Sequence, residues 1–484
     1  MTPFTAETSA ARAAQSAWAA ASLPDRLRPV RELRTLLVER RDALTAAIEA
    51  DVERPPAEVI ATDVLPSASA CKYLLTDARR ILRDRYAGRT PLWLFGSRDV
   101  VARRPRGVVG VVGTWNYPLF LNLVPVLHAL TAGNAVLWKP SENTPRFAAE
   151  FAALFAAAGY PAGLLQTLPA TRDAGPRLAE SAIDFLHFTG SEAVGRKLAA
   201  RLGERLIPSV LELSGCDALI VLPDGDVKLA ARAAWYGLTL NKGQTCLAVR
   251  RMLVHVDVRD KFVAELRGHA ARSGPLKLLQ VEQVEQARRL LAEAAGRDTV
   301  AAPGTPGERE FLPTVVLDAD PTLGLCREAI FAPLAALMTY RTVGELLDLD
   351  AACPYALGAS IFGGEFPRFD EWKLLLSLGG AGVVTSEDVI VATAHPATPL
   401  TGSGSSGWGS TQGDEGLLEM TVPLVLSRRG GKFRPHLDAG LDPRPGDGET
   451  VTGMLRATHG RTLRERWRGV RQMVRGAMSV GKRS

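Results

Sequence analysis

Closely spaced cysteine pairs are missing from this chain. Its five cysteines, Cys71, Cys216, Cys246, Cys326 and Cys353, are scattered, no CxxC occurs, and the odd count argues against a secreted disulfide framework. A reducing, cytoplasmic setting and no metal site are expected. Also missing is an uncharged apolar run long enough to span a membrane. The first residues lack a basic start followed by a leucine-rich stretch, so no signal peptide is read. No repeat of solenoid period is found. A general excess of one charge is absent too. Of the net +6, the segment Glu449–Ser484 alone carries +7, with nine Lys/Arg against two Asp/Glu, so the preceding residues sum to about −1. The body therefore has no general affinity for polyanions, and no nucleic acid is expected as a partner. Peripheral contact with a membrane through the tail remains open.

What is present is a long, apolar-rich chain of 484 residues, enough for two or three cores. Up to about Asp84 it reads as helices, with Leu27, Val30, Leu33, Leu37 and Leu44 at helical spacing. Then come apolar runs suited to buried parallel strands, Gly107–Val112, Ala135–Trp138 and Ile183–Phe188, each leading through a turn toward a helix. Ser209–Leu213, Ala218–Val221 and Arg251–Val256 continue the alternation, with a helix over Val227–Leu240. Such alternation predicts doubly wound α/β architecture, a Rossmann-like unit followed by a second α/β unit running to roughly Gly409. Lys432–Gly448, rich in Pro, Gly and Asp, reads as a linker.

Five places could carry chemistry. Cys246 follows the polar turn Asn241-Lys242-Gly243-Gln244-Thr245, which would expose a sulfur to backbone N–H groups and favour thiolate. The other cysteines read as small buried hydrophobes. Glu212, in the apolar run Val210-Leu211-Glu212-Leu213, is either half of a buried ion pair or a general base raised by desolvation. Asn116 stands just beyond a buried strand, where open α/β sheets place ligands. It could hold the turn before Pro118 or offer an amide to an oxyanion. Gly190-Ser191-Glu192-Ala193-Val194-Gly195 opens a helix directly after a strand and could seat a phosphate, though it is not GxGxxG. Lys139, Ser141 and Glu142 follow another buried strand; the lysine and glutamate could grip ribose hydroxyls or be solvated loop charges.

Taken together, from about Gln15 to Leu426, the blocks PRGVVGVVGTWNYP, GNAVLWKPSENTP, HFTGSEAVG, LELSG, NKGQTC and EAIFAP, with a degenerate PLTGSGSSGWG, resemble the aldehyde dehydrogenase superfamily, and the early position of Asn116 is similar to its shorter, class-three-like branch. The resemblance implies Cys246 as nucleophile, Glu212 as general base, and Asn116 with the Cys246 backbone N–H as oxyanion hole. It implies NAD or NADP as cofactor, bound around Thr114, Trp115, Lys139, Ser141, Glu142, Gly190, Ser191, Gly195 and Phe331. It further implies a dinucleotide-binding domain from 1–90 and 105–213, a catalytic domain over 214–410, and oligomerisation strands at 91–104 and 418–428 that make a homodimer. Residues 429–448 are then the linker and 449–484 a basic amphipathic tail. By the same alignment Leu240, Leu400 and Val124 line the substrate entry and give it an aliphatic wall.

Three departures from the family pattern stand out. Ala329 replaces the glutamate that binds the nicotinamide ribose, the nearest acid being Glu328. Ser214-Gly215-Cys216 replaces Gly-Gly-Lys, and Leu400-Thr401 replaces the late aromatic turn. These leave one rival reading, an impaired member that binds without turnover. A second makes recruitment by the tail the main role. In that tail Leu463, Trp467, Val470 and Val474 form one helical stripe beside Arg464, Arg468, Arg471 and Arg475. The stripe suits either an anionic bilayer or packing on the protein itself or a partner subunit.

Overall fold

The computed structural model describes residues 3–91, 94, 96–364, 380–430, 437, 440–441 and 445–480. They form two compact units, Met1–Leu82 with Arg104–Val422, and Arg83–Arg103 with Pro423–Ser484.

The first unit begins with helices α1 (Thr5–Ala20), α2 (Leu23–Glu39), α3 (Arg41–Val52), α4 (Pro56–Val59) and α5 (Leu65–Leu82). Val30, Leu33 and Leu37 are buried on α2 and Leu44 on α3, so the predicted stripe is divided between two helices. Ser22 caps α2 by accepting from the Asp25 N–H. A π-helical turn, Ile60–Val64, joins α4 to α5.

Five parallel strands build the first sheet. They are β3 (Val108–Val112), β4 (Ala135–Lys139), β5 (Leu165–Thr167), β6 (Phe185–Thr189) and β7 (Ser209–Glu212), in the order β7-β6-β3-β4-β5. Every residue of β3 and β4 is buried, which is why they read as continuous apolar runs rather than alternating ones. Gly407–Trp408 adds an antiparallel edge on β7. Helices α6 (Pro118–Ala132) and α7 (Pro145–Ala157) follow β3 and β4, and α9 (Glu192–Glu204) follows β6. Because β4 and β6 flank β3 on opposite sides, the chain reverses direction across the sheet at β3/β6. The crevice beyond those strand ends is where such sheets bind ligands.

A second, seven-stranded sheet is centred on β8 (Asp217–Val221) and β9 (Val249–His255), with α10 (Val227–Thr239) between them. Leu334–Tyr340, Thr314–Val316 and Thr299–Ala301 extend it beyond β9, while Gly358–Phe362 and Val383–Ser386 extend it beyond β8. Only Leu213–Cys216 separates β7 in one sheet from β8 in the other, so Glu212 stands where the chain passes between them.

The second unit contains β1 (Arg85–Tyr86) and most of β2 (Ser97–Pro105), in a three-stranded sheet whose far edge is Thr421–Arg429. The strand expected at 418–428 starts at Thr421, because Gly413–Glu419 is helical and buries Leu417. The predicted Lys432–Gly448 linker falls largely outside the described residues. The tail is a hairpin of two helices, Asp447–His459 and Leu463–Val480. The apolar stripe marks only the second; the first has Gly453 as its sole buried residue, so no hydrophobic face announces it. Among the described residues no helix is long and apolar enough to cross a membrane.

Candidate active site

Asn116 lies in the loop between β3 and α6. Its side-chain oxygen accepts from Thr114 Oγ1 at 2.9 Å, and its amide donates to the Gln244 carbonyl at 3.1 Å. Its own main-chain oxygen accepts from Arg54 Nη1 (3.2 Å) and Asn241 Nδ2 (3.0 Å). Arg54 is 1% exposed and paired with Asp63 at 2.5 Å. The second Asp63 oxygen accepts from the N–H groups of Leu119 and Phe120, in the first turn of α6, where orphan donors need a partner. The reading of the sequence missed this brace. Its one signal was an acid, Asp63, set among buried apolar positions such as Val59 and Val64.

The Cys246 loop is fixed from several sides. Asn241 and Lys242 both take left-handed backbone, and Gly243 (φ 78°) lies so close to Ala332 and Pro333 that a Cβ would approach their backbone to 2.6 Å. Gln244 donates to the Asn241 carbonyl and accepts from the Leu279 N–H. The buried Arg250 donates to the carbonyls of Gly243 and Ala332. Tyr117 and Thr245 share a hydroxyl contact of 2.6 Å. Gly215 N–H donates to the Cys246 carbonyl at 3.2 Å, and a Cβ on Gly215 would reach that oxygen at 2.7 Å. The break after Glu212-Leu213 therefore needs a glycine.

Glu212 is not half of an ion pair. It is 4% exposed, its Oε1 has no hydrogen-bond partner, and only a 3.5 Å contact with Thr189 Oγ1 reaches Oε2. Desolvation pushes its carboxyl up to about 7. The thiolate expectation for Cys246 is corrected. Burial, with the Glu212 and Asp217 carboxyls nearby, raises the thiol well above its ordinary value, and the N–H groups of Leu247 and Cys246 only partly oppose this. Asn116, Glu212 and Cys246 line one cavity of about 20 Å³, together with Thr114, Gly190 and Phe331. That space admits about one water molecule.

The expected cofactor residues are spread along the crevice. Ser191 is the N-cap of α9 and its hydroxyl makes no cap hydrogen bond, so the first-turn amides are available to an anion. The acid in that turn, Glu192, is engaged by Arg196, Tyr355 and Ser405. Gly190 packs against the Phe188 ring. A Cβ on Gly195 would meet the Leu213 side chain at 2.5 Å, so Gly195 serves the close approach of α9 to the segment after β7. Lys139 Nζ contacts Glu142 at 3.1 Å, and Arg172 holds the other Glu142 oxygen at 3.0 Å. The cations around Glu142, with a backbone N–H, outweigh desolvation and lower its pKa. Ser141 Oγ accepts from the Asn143 N–H and shapes that turn. The Trp115 and Phe331 rings meet at a tilt of 57°, 5.9 Å between centroids. Glu328 does not replace the acid missing at Ala329. It pairs with Arg289 at 2.6 Å.

A larger cavity of about 330 Å³ reaches Cys246 from the other side. Leu240 and Leu400 line it as expected. Val124 does not; it packs with Ala70 one helical turn further along α6, while Phe120 and Leu121 face the cavity. The wall is also not purely aliphatic, since Tyr117, Phe120 and Tyr236 contribute rings. Among the described lining residues the one charged side chain is Asp388. No group of three or more His, Cys, Asp or Glu among the described residues could hold a metal ion.

The family model described as "Aldehyde dehydrogenase family" matches residues 4–424. The chain is 29% identical over 422 residues to 4,4'-diapolycopene aldehyde oxidase of a Methylomonas species, covering 85% of this chain and 79% of that protein. It is 34% identical over 341 residues to the NAD(+)-dependent benzaldehyde dehydrogenase of Pseudomonas putida, covering 67% and 68%. A crystal structure of a Mycobacterium tuberculosis aldehyde dehydrogenase complexed with NAD+ superposes with a TM-score of 0.81 at 28% identity, over 88% of this chain and 90% of that one. With a half-buried cysteine, an unpaired carboxyl and an asparagine amide converging beside a dinucleotide crevice, the chain belongs to the aldehyde dehydrogenase family of NAD(P)-dependent oxidoreductases.

Proposed function

We propose that Cys246, Glu212 and Asn116 oxidise an aldehyde to its carboxylate. The carrying observation is that these three residues, distant in sequence, share one cavity in which the carboxyl of Glu212 is buried and unpaired. Cys246 gives up its proton through the single water the cavity admits. The sulfur then adds to the carbonyl carbon. The oxygen becomes an alkoxide that accepts from the Cys246 backbone N–H and from the Asn116 amide N–H not engaged by Gln244. Bound nicotinamide dinucleotide supplies the hydride acceptor. The thioester left on Cys246 is hydrolysed by water deprotonated by Glu212. Retention of this carboxylate argues for hydrolysis rather than release to another acyl acceptor, and the intact cluster argues against an impaired binding protein.

The first-turn amides of α9 and Ser191 would hold the diphosphate, Lys139 and Glu142 the adenine ribose, and Trp115 and Phe331 the nicotinamide side. Glu142 disfavours a 2′-phosphate, but its two cationic partners soften that repulsion, so NAD is favoured and NADP tolerated. The apolar cavity suits uncharged aldehydes, aliphatic chains among them. Its one acid, Asp388, opposes aldehydes carrying a carboxylate.

A homodimer joined through the edge strand Thr421–Arg429 is part of this reading. Leu424, Val425 and Leu426 are exposed there, and an uncovered apolar edge invites pairing. The protein's five thiols are all free, in keeping with a cytoplasmic location, to which the tail adds peripheral membrane contact.

Rapid mixing tests the mechanism. Cys246→Ala should abolish turnover while dinucleotide binding persists, and Glu212→Gln should retain a burst of NADH before a slow steady state. Substantial C246A turnover, or loss of the burst along with turnover in E212Q, would overturn these assignments.

A further inference from the structure

The two tail helices meet through glycine rather than through their apolar residues. A Cβ on Gly453 would come within 2.2 Å of the Met473 nitrogen, one on Gly469 within 2.3 Å of the Ala457 nitrogen, and one on Gly476 within 2.5 Å of the Thr450 nitrogen. Backbones this close leave no room for side chains in the seam. Most of the apolar stripe of the second helix is therefore left outside the seam, Val470 alone being half-buried. Leu463, Trp467, Val474 and Met478 are 76%, 68%, 47% and 67% exposed. At 100° per residue these four fall within a 60° arc, and Arg464, Arg468, Arg471 and Arg475 fill the adjoining arc, all exposed. The glycines lie on a different side from both.

We infer that this face docks on an anionic lipid bilayer, with Trp467 and its apolar neighbours entering the headgroup boundary and the four arginines against lipid phosphates. Charge selects the occupant. The arginines border the apolar strip along its length, and a row of like cations beside a hydrophobic strip is the arrangement that lies flat in an anionic interface. The same row disfavours a second copy of itself across a symmetric contact. The seam also removes the ordering cost raised by Gly469 and Gly476. They would weaken a lone helix, but here they permit the packing that preforms it. This inference sharpens the peripheral-membrane reading and is independent of the catalytic one.

The test uses the full chain with vesicles of phosphatidylcholine, with and without phosphatidylglycerol. Co-sedimentation at low salt is expected only with phosphatidylglycerol, and it should fall as salt rises. Exchanging the exposed arginines for glutamine should weaken partitioning about five-fold for each one removed. Trp467→Ser with Val474→Ser should lose binding and any fluorescence blue shift on vesicle addition. Turnover of a short, soluble aldehyde should be unchanged in every variant, so a failure here is distinguishable from a failure of the dehydrogenase assignment. Absence of vesicle binding, or binding that both variants keep, would overturn the inference. So would a smaller assembly of the Trp467/Val474 variant by light scattering, which would make this face a subunit contact.

Discussion

Asn116 donates its side-chain amide to the main-chain oxygen of Gln244 at 3.1 Å, tying the loop beyond β3 to the loop that carries Cys246. The proposed oxyanion donor and the nucleophile are thus set by one hydrogen bond. Asn116→Ala should lower kcat by about 10²–10³-fold, the usual cost of an oxyanion donor. Fluorescence titration should show dinucleotide binding near the wild-type level. Equal losses of binding and turnover would mean that Asn116 acts only by holding the fold.

The pH profile follows from Glu212. Its carboxyl, held up to about 7, must be ionised to take a proton, so deacylation should rise with pH through about 7 and level off above it. The deacylation rate from single-turnover traces is the measurement. Glu212→Gln should flatten this rise.

The same group makes a stability prediction of opposite character. A carboxyl whose folded pKa lies above its unfolded value costs stability once it is ionised in the unfolded chain. That cost is absent below about 4.5, grows as pH rises toward 7, and is fully present above it. Glu212→Gln should therefore stabilise the protein above pH 7 by up to about 3 kcal/mol, with little effect at pH 4. Urea titrations at the two pH values check this.

Arg54 and Asp63 form a buried pair beneath Asn116 and α6. Arg54→Met leaves the Asp63 charge unpaired and should cost about 3–5 kcal/mol. Adding Asp63→Asn should recover part of that loss by denaturant titration. A single-variant loss below 1 kcal/mol would show that the pair is not needed.

The edge strand gives a simple assembly test. Val425→Lys places a charge on the exposed strand Thr421–Arg429 and should convert a dimer to monomer by light scattering. A wild-type monomer at micromolar concentration would count against the dimer itself.

The sequence alone determined four strands of the first sheet, because a strand buried on both faces reads as an apolar run, as Val108–Val112 and 135–138 do, but not the short, half-exposed Leu165–Thr167 or the Gly407–Trp408 edge. It also marked Cys246, Glu212 and Asn116, since a polar turn, a lone acid and a strand-end amide stand out against apolar surroundings. Helical spacing found the second tail helix but not the first, whose contacts are between backbones and leave no periodic pattern. Tertiary structure alone brought the Glu212 and Asp217 carboxyls near Cys246 and so pushed its thiol up, because a pKa depends on which groups burial brings near. It alone put Phe120 and Leu121 rather than Val124 on the cavity wall, since helical spacing leaves open which turn of α6 meets the cavity. It alone turned Glu328 toward Arg289, from a helix some forty residues earlier.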